Sequence, residues 1–179
     1  LFFLVYEGQC SAIAARHNHL LNERAARERA YQQNVASHKT DYRDLVKYYA
    51  AVNQIDPAFV AAIIKRESDY DPRAVSRVGA RGLMQIMPIV GRQFNVDKES
   101  IADPETNIRL AGKLLRQIEK TLKMSPSVPA NDRISIILAC YNGGIGHVCD
   151  ARRLAKSNGE NHNSWEVVAR YLKLKADPT

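Results

Sequence analysis

Apolar residues recur with a helical period along most of this chain. After Asp56, the residues at i, i+3, i+4 and i+7 of one stretch are Val60, Ile63, Ile64 and Glu67. Residues with that spacing share one face of a helix. Asp56 and Pro57 form a typical N-cap and first-turn pair. The pattern therefore predicts a helix that begins after Asp56 and carries Glu67 on its apolar face.

Two more helical stripes flank this segment. The earlier one contains Tyr42, Leu45, Val46 and Tyr49. The later one contains Ile108, Ala111, Leu115, Ile118 and Leu122. It follows an Asp103-Pro104 pair that repeats the capping pattern. Both stripes are expected to face a common core.

Helices are also predicted beyond a breaker stretch at 125–130, over residues 132–140, 148–156 and 165–172. The first is expected to place on one face Ile134, Ile137, Leu138 and Tyr141. The last is expected to begin after a Ser164 cap and to use Trp165 for packing. Since no segment alternates convincingly with period two, we expect an all-α, mainly helical domain, with at most a small β-ribbon near residues 79–85.

A carboxylate on an apolar stripe is unusual. Desolvation favours the protonated form of Glu67, which makes it a candidate general acid near neutral pH. The alternative is structural: the stripe reaches the surface at Glu67, which pairs with Lys65, Arg66 or another cation. Periodicity alone leaves both interpretations open.

A glycine-punctuated loop follows the predicted helix. Pro72 disfavours helical backbone in the residue before it, so the chain turns there. Gly79 and Gly82 permit positive φ angles or a close approach of the backbone to another group. The apolar run 83–88 contains one amide, Gln85, which needs hydrogen-bond partners or a cavity. This loop favours the functional interpretation of the preceding carboxylate.

Three short motifs in order carry a family resemblance. They are Glu67-Ser68 continued by Pro72, Ala74 and Ser76; the run Gly82-Leu83-Met84-Gln85-Ile86-Met87-Pro88; and Cys140-Tyr141-Asn142-Gly143-Gly144. At these residues the chain resembles the family 1 lytic transglycosylases, a soluble-type catalytic domain with a lysozyme-like fold. Through Gly146-His147-Val148 and Asp150-Ala151-Arg152 it is most similar to the membrane-bound lytic transglycosylase F group.

The resemblance implies a peptidoglycan lytic transglycosylase, which cleaves the β-1,4 bond between N-acetylmuramic acid and N-acetylglucosamine. Glu67 would protonate the glycosidic oxygen and then take a proton from the substrate's own 6-hydroxyl, which leaves a 1,6-anhydromuramoyl end. The residues implied to bind substrate or to orient the acid are Ser76, which would hydrogen-bond Glu67, Gln85 and Met87 near the acetamido group, and Tyr141 and Asn142 beside the acid.

The chain is basic, with 26 Lys+Arg against 19 Asp+Glu and a formal net charge of +7. Such a field attracts anionic polymers, which include nucleic acid, anionic lipid and cell-wall glycan with acidic peptides. Charge does not choose among them. The resemblance implies peptidoglycan glycan strands as the partner, no nucleic acid, a monomer, and a location in the periplasm or cell envelope with outer-membrane association. Membrane anchoring outside this chain stays open.

No metal or nucleotide motif is visible in the sequence. It lacks Cys-x-x-Cys, His-Glu-x-x-His, a Walker loop and a Gly-x-Ser-x-Gly elbow. We therefore expect no cofactor and no metal. Cys140 and Cys149 lie on either side of the predicted Gly143-Gly144 turn, and whether they pair in an oxidising compartment stays open.

The 179 residues suit one domain with a substantial core. Residues 1–40 are rich in helix formers but poor in apolar positions, so we expect a helical extension or tether there and the lysozyme-like catalytic domain at 41–179. The F group continues to a Glu-Thr-x-x-Tyr-Val segment that supplies a cleft tyrosine. This chain stops at Thr179 without that segment, and Tyr171 is not a convincing substitute, so we expect the domain to lack its C-terminal end.

Two other functions compete with this interpretation. A goose-type hydrolytic muramidase shares the fold and the acid but needs a second carboxylate to activate water. A non-catalytic basic module would bind glycan or nucleic acid through its charge. The joint presence of five motif residues argues against that module: Glu67, Ser76, Gln85, Tyr141 and Asn142.

Overall fold

The computed structural model describes residues 42–176, together with Asn22, Glu23 and Ala26. Within these residues the chain forms seven α-helices and one 3-10 turn. They are α1 (Arg43–Asn53), α2 (Pro57–Ser68), α3 (Pro88–Gln93), the 3-10 turn (Ser100–Ala102), α4 (Pro104–Leu122), α5 (Ala130–Gly143), α6 (Ile145–Ser157) and α7 (Trp165–Ala176). The predicted all-α class is confirmed. Except at three positions, the predicted extension over residues 1–40 lies outside the described residues.

Helix α4 forms the centre of the core. Its nearly fully buried apolar side chains are Ile108, Leu110, Ala111, Leu115, Ile118 and Leu122. Helices α1 and α5 pack on it, and α3 and the 3-10 turn contact it as well. Fully burying one Leu or Ile side chain contributes about 1.5–3 kcal/mol, so this face is a major source of stability. The sequence predicted every member of the face except Leu110.

The two predicted Asp-Pro helix starts are confirmed. Asp56 Oδ1 accepts a hydrogen bond from the Ala58 N–H at 2.8 Å. Asp103 Oδ2 accepts one from the Thr106 N–H at 2.9 Å. Each carboxylate satisfies an N–H group that the first helical turn leaves without an internal partner. Helices α2 and α4 therefore begin where the sequence places them.

Helix α5 is rotated relative to the prediction. Its buried side chains are Ile136, Ile137 and Cys140. Ile134 is 40% exposed, while Leu138 and Tyr141 are half-buried against the core. The helix packs against α4 and also against α6 and α7, so its core-facing stripe is shifted toward Ile136 and Cys140. The predicted placement of Ile134 on the core face is therefore wrong.

Some helix boundaries come from tertiary contacts that periodicity does not reveal. Helix α3 has six residues, too few for a 3.6-residue period to be recognised. At the start of α7, the Trp165 N–H donates to Asp132 Oδ1 at 2.9 Å. Asp132 on α5 therefore satisfies the N–H of the first residue of α7, and the Ser164 carbonyl accepts from the Val168 N–H at 3.0 Å.

A buried asparagine on α4 holds the α2–α3 loop, residues 69–87. Asn107 is fully buried, and its Oδ1 accepts a hydrogen bond from the Met84 N–H at 2.7 Å. Its Nδ2 donates to the Arg81 carbonyl at 2.8 Å and to the Ile101 carbonyl at 2.7 Å. One side chain thus satisfies three backbone groups and fixes the loop to the central helix.

Asn107→Ala should lower the free energy of unfolding by about 3 kcal/mol or more, because each buried backbone group left without a partner costs about 1–3 kcal/mol. Asn131→Ala, at an exposed position in the first turn of α5, should change it by about 0.5 kcal/mol or less. Urea unfolding of both variants measures the difference. Equal losses would show that the Asn107 amide does not hold the loop.

Candidate active site

Glu67 lies in the last turn of α2 and is half-buried. The structure records no hydrogen bond or ion pair to its carboxylate from any described residue, and Lys65 pairs with Asp69 instead. Burial raises the pKa of Glu67, and the neighbouring Arg66 guanidinium lowers that pKa by a smaller amount. Glu67 therefore holds its proton to a higher pH than an ordinary glutamate does.

The residue after Glu67 connects α2 to the α2–α3 loop. Ser68 is buried, and its Oγ is 2.8 Å from the Leu83 carbonyl oxygen and 3.3 Å from the Ile64 carbonyl oxygen. The loop itself contains two isolated bridges, Val75 with Arg81 and Arg81 with Ile86. This agrees with the small β-ribbon that the sequence allowed. The loop is thereby held against the end of the helix that carries the acid.

Tyr141 on α5 also binds the α2–α3 loop. Its hydroxyl donates a hydrogen bond to the Met84 carbonyl oxygen at 2.6 Å. Burial raises the pKa of Tyr141, and the Glu67 carboxylate raises that pKa further. This effect indicates that Tyr141 and Glu67 lie near one another, and the implied role of Tyr141 beside the acid stays a prediction.

Ser76 lies in the α2–α3 loop. Its Oγ accepts a hydrogen bond from the Ala80 N–H at 3.0 Å, and its own N–H donates to the Ala80 carbonyl at 3.0 Å. No recorded bond among the described residues uses the Ser76 hydroxyl proton, which leaves that proton free to donate. The implied bond from Ser76 to Glu67 is not recorded and stays a prediction.

Gln85 adopts a positive φ of 46° within the same loop. Its Nε2 donates to the carbonyl oxygens of Ala74 and Gly82, both at 3.1 Å. Both N–H groups of the amide are therefore used inside the loop, and Oε1 is the atom of Gln85 left to meet a ligand. Met87 is half-buried at the start of α3, and Asn142 is exposed in the last turn of α5. Their substrate contacts stay predictions.

Sequence reasoning missed the role of two polar residues that hold the α2–α3 loop, although Ser68 stands in the first motif. Asn107 precedes Ala111 by four residues and Ser68 follows Ile64 by four, so both lie on helix faces that were predicted to be buried. Both polar side chains on those faces are hydrogen-bonded to backbone groups of the α2–α3 loop. A polar residue on a helix face that is otherwise apolar could have indicated that each side chain binds a buried backbone group.

Five of the six carboxylates in residues 69–105 have structural partners, and the sixth, Glu99, is exposed. Asp69 pairs with Lys65, Asp71 with Arg73, Asp97 with the Ser100 hydroxyl, Asp103 with the Thr106 N–H, and Glu105 with the Tyr49 hydroxyl. No second carboxylate contributes to the raised pKa of Glu67. In the described part of the chain, no group of three or more His, Cys, Asp or Glu residues could hold a metal ion.

A family model described as the transglycosylase SLT domain matches residues 44–164. The chain belongs to this family. The matched range includes every residue that the sequence assigned to the site: Glu67, Ser76, Gln85, Met87, Tyr141 and Asn142. The family resemblance seen in the three motifs is therefore confirmed, although the role of each residue is not tested by the match.

Relatives named membrane-bound lytic murein transglycosylase F share about a third of their aligned residues with this chain. The one from Aeromonas hydrophila is 35% identical over 146 residues, which are 82% of this chain and 28% of that protein. The one from Shewanella loihica is 36% identical, with coverage of 82% and 29%. The one from Marinobacter nauticus is 32% identical over 170 residues, with coverage of 94% and 33%. This chain thus spans a minor part of their length.

A solved structure supports the fold. The X-ray structure of the lytic transglycosylase Slt from Pseudomonas aeruginosa superposes with a TM-score of 0.56 at 25% identity, and it covers 73% of this chain and 20% of that one. That structure is of an inactive mutant in which one glutamate is replaced by glutamine. The lysozyme-like, mainly helical fold expected from the motifs is confirmed.

The raised pKa of Glu67 predicts a pH-dependent gain of stability in Glu67→Gln. Because the unfolded chain releases this proton at a lower pH than the folded protein, wild-type stability falls as pH rises from the unfolded pKa, near 4.5, through the folded pKa. Glu67→Gln has no titrating carboxyl at this position, so its stability does not fall in this way. Its melting temperature relative to wild type should therefore be higher at pH 7.5 than at pH 4.

Glu99→Gln, at an exposed carboxylate, is the matched control for removal of one negative charge. Thermal unfolding of the wild type and both variants at the two pH values gives the comparison. A Glu67→Gln difference that is the same at pH 7.5 and pH 4, or that matches the Glu99→Gln difference, would contradict the assignment of a raised pKa to Glu67.

Proposed function

We propose that this chain is a peptidoglycan lytic transglycosylase in which Glu67 is the single catalytic carboxylate. The observation that carries the proposal is a half-buried carboxyl with a raised pKa and no hydrogen-bond donor from the described residues, inside a transglycosylase SLT domain. The relatives' names and the inactive glutamate-to-glutamine mutant of Slt support the activity and an essential acid in that family.

Glu67 would act first as an acid and then as a base. In its protonated form it donates a proton to the glycosidic oxygen between N-acetylmuramic acid and N-acetylglucosamine, and the bond to the leaving sugar breaks. The resulting carboxylate takes the proton of the muramic acid 6-hydroxyl, whose oxygen attacks the anomeric carbon. The product carries a 1,6-anhydromuramoyl end, and the Glu67 proton is restored.

Tyr141 and Gln85 present acceptors to the reacting sugar. The Tyr141 hydroxyl donates a hydrogen bond to the Met84 carbonyl, so the lone pairs of its oxygen are available to the site. They would stabilise the positive charge of an oxocarbenium-like transition state. With both amide N–H groups used in the loop, Gln85 would accept from the acetamido N–H through Oε1. Met87 and Asn142 would line the same cleft.

A hydrolytic muramidase is the competing enzyme. It needs a second carboxylate about 6.5–9.5 Å from the acid to activate water, or about 5–5.5 Å away to act as a nucleophile. Five of the six carboxylates in residues 69–105 are engaged with cations, hydroxyls or helix N–H groups, and the sixth, Glu99, is exposed. This engagement favours capture by the substrate's own hydroxyl over attack by water.

The proposed setting is the bacterial cell envelope, where peptidoglycan glycan strands are the partner. We extend this to a monomeric catalytic domain over residues 41–179 that works in the periplasm, at the outer membrane, without cofactor. Among the described residues, no helix has the length and apolar composition needed to cross a bilayer. The relatives' names include the words membrane-bound, which supports envelope association.

The chemical form of the product distinguishes a lytic transglycosylase from a hydrolytic muramidase. Digestion of sacculi by the wild type should give muropeptides with 1,6-anhydro ends, each one water lighter than the hydrolysed form and resistant to borohydride reduction. Glu67→Gln should lower the rate by about a hundredfold or more, because an amide has no catalytic proton to donate. Mass spectrometry before and after reduction measures both effects.

Reducible muramic acid ends as the main product would support the muramidase instead. A Glu67→Gln variant that digests sacculi at the wild-type rate would remove Glu67 from the mechanism. Glu99→Gln is again the matched control, and it should keep wild-type activity because its carboxylate is exposed.

Ser76→Ala should lower kcat by about ten- to a hundredfold if the Ser76 hydroxyl donates to Glu67 once substrate is bound. Loss of that donor also raises the pKa of Glu67, so the high-pH limb of the rate profile should move to higher pH. If Ser76 only accepts from the Ala80 N–H, its loss would lower the free energy of unfolding by about 1 kcal/mol and leave the pH–rate profile unchanged.

Ser157→Ala removes an exposed hydroxyl that bonds a backbone carbonyl in α6 and serves as the control. A pH–rate profile of each variant, together with its melting temperature, separates the two roles. If the Ser76→Ala profile coincides with the wild-type profile, Ser76 is structural and the implied orienting bond does not exist.

A further inference from the structure

We propose that a cavity between α1 and α2 binds the anion of a single-chain fatty acid, with the alkyl chain inside and the carboxylate at the rim. The cavity has a volume of about 250 Å³ and is partly open to solvent. None of the residues assigned to the candidate active site lines it. The inference therefore stands independently of the proposed function.

The interior of this cavity is apolar and aromatic. Tyr42 at the N-cap of α1 and Val46 one turn later are 8% and 6% exposed, and both line it. Tyr70, which follows α2, is 3% exposed and lines the opposite side together with Pro57 and Ala61 of α2. Apart from the two tyrosine hydroxyls, these five side chains carry no polar group. Such an interior favours an alkyl chain.

The backbone that follows α2 fixes the aromatic wall. Asp69 and Tyr70 have φ angles of 51° and 67°, in the left-handed region that residues with a Cβ rarely adopt. These angles turn the chain back toward α2, where the Tyr70 hydroxyl donates to the Ala61 carbonyl oxygen at 3.2 Å. Because this wall is formed before a ligand enters, binding does not have to order it.

Two cations lie at the rim of the cavity. Arg43 and Lys47 line it, are exposed, and share one face of α1 because they are four residues apart. No ion pair or hydrogen bond to either side chain is recorded from the described residues. Asp44, the acidic residue of α1, does not line the cavity, and Asp69 is paired with Lys65. The rim is therefore positively charged and complements one anionic group.

A fatty acid anion matches this combination better than a sugar does. The hydroxyl groups of a sugar would enter an interior with few hydrogen-bond partners, and burying a hydroxyl without a partner is unfavourable. The cavity volume corresponds to roughly eight groups of the size of a water molecule, at about 30 Å³ each, and a methylene is similar in size. A chain of about eight to ten carbons would therefore fill it with the carboxylate at the cations.

The cavity and the acid lie on different faces of α2. Ala61 and Glu67 are six residues apart, which places them about 120° apart around the helix and about 9 Å apart along its axis. A fatty acid bound beside Ala61 therefore does not occupy the position of the Glu67 carboxylate. Binding can be measured without any cleavage reaction.

The test is an NMR titration of the ¹⁵N-labelled 179-residue chain with straight-chain carboxylates from butanoate to dodecanoate, each below its micelle-forming concentration. Amide shifts should be centred on the residues that line the cavity. Affinity should rise by about fourfold for each added methylene and stop rising near eight to ten carbons, when the cavity is full. Octanol should bind about two- to thirtyfold more weakly than octanoate, because it cannot pair with the two cations.

The role of the cations is tested by Arg43→Gln combined with Lys47→Gln. This double variant should bind octanoate no more tightly than octanol. Lys98→Gln combined with Lys120→Gln removes two exposed cations elsewhere and should keep the wild-type preference for octanoate. A preference that persists in the first double variant would overturn the proposal.

The role of the cavity is tested by Ala61→Leu, which fills part of the space and should lower the affinity for octanoate by about tenfold or more. Ala62→Leu, at the adjacent exposed position of α2, is the matched control and should bind as the wild type does. Should the double charge variant fail to fold, this comparison decides. Equal affinities of the two leucine variants, an affinity that is independent of chain length, or octylammonium binding as tightly as octanoate would each overturn the proposal.

Discussion

The three hydrogen bonds of Asn107 are the constraint on which the candidate site depends. They join the central helix α4 to the Arg81 carbonyl, the Met84 N–H and the Ile101 carbonyl. The approach is close, since a Cβ on Gly82 would lie 2.6 Å from Asn107 Nδ2, and Gly82 has a φ of +74°. With the loop fixed at these points, the Leu83 and Met84 carbonyls are in place to accept from Ser68 and Tyr141.

This scaffold also explains how a carboxyl can remain without donors in a protein interior. The hydroxyl of Ser68, which is next to Glu67, is directed to the Leu83 carbonyl and not to the acid. The nearby lysine is engaged with Asp69. These two neighbours therefore do not stabilise the carboxylate, Arg66 lowers the Glu67 pKa by a smaller amount, and desolvation is the largest effect on that pKa. Packing of α2 sets the position of Glu67. Burial without a recorded hydrogen-bond donor raises its pKa.

The sequence allowed prediction of elements whose signals are local. Asp-Pro caps and a regular apolar stripe located α2 and α4, and the three motifs indicated the family that the domain match confirms. Features decided by neighbours were not accessible. Ile134 and Ile136 are both compatible with a helical stripe on α5, and contact with α4, α6 and α7 selects Ile136. The Asp132 contact to Trp165 joins residues 33 positions apart, and the bond between Met84 and Asn107 joins residues 23 apart, so no local pattern reveals either.

The hydrogen-bond donors of Tyr141 and Gln85 are used within the loop, which favours a positively charged transition state over a negatively charged one. The Tyr141 hydroxyl and both amide N–H groups of Gln85 donate hydrogen bonds to loop carbonyls. Each side chain would therefore present oxygen lone pairs to a ligand. The pKa of Glu67 is raised by burial, and the Glu67 carboxylate in turn raises the pKa of Tyr141. The same lone pairs attract the positive charge of an oxocarbenium-like sugar. An oxyanion intermediate, in contrast, would find acceptors where it needs donors. Under the proposed mechanism, burial would keep the acid protonated before the reaction, and these lone pairs would stabilise the cationic sugar during it.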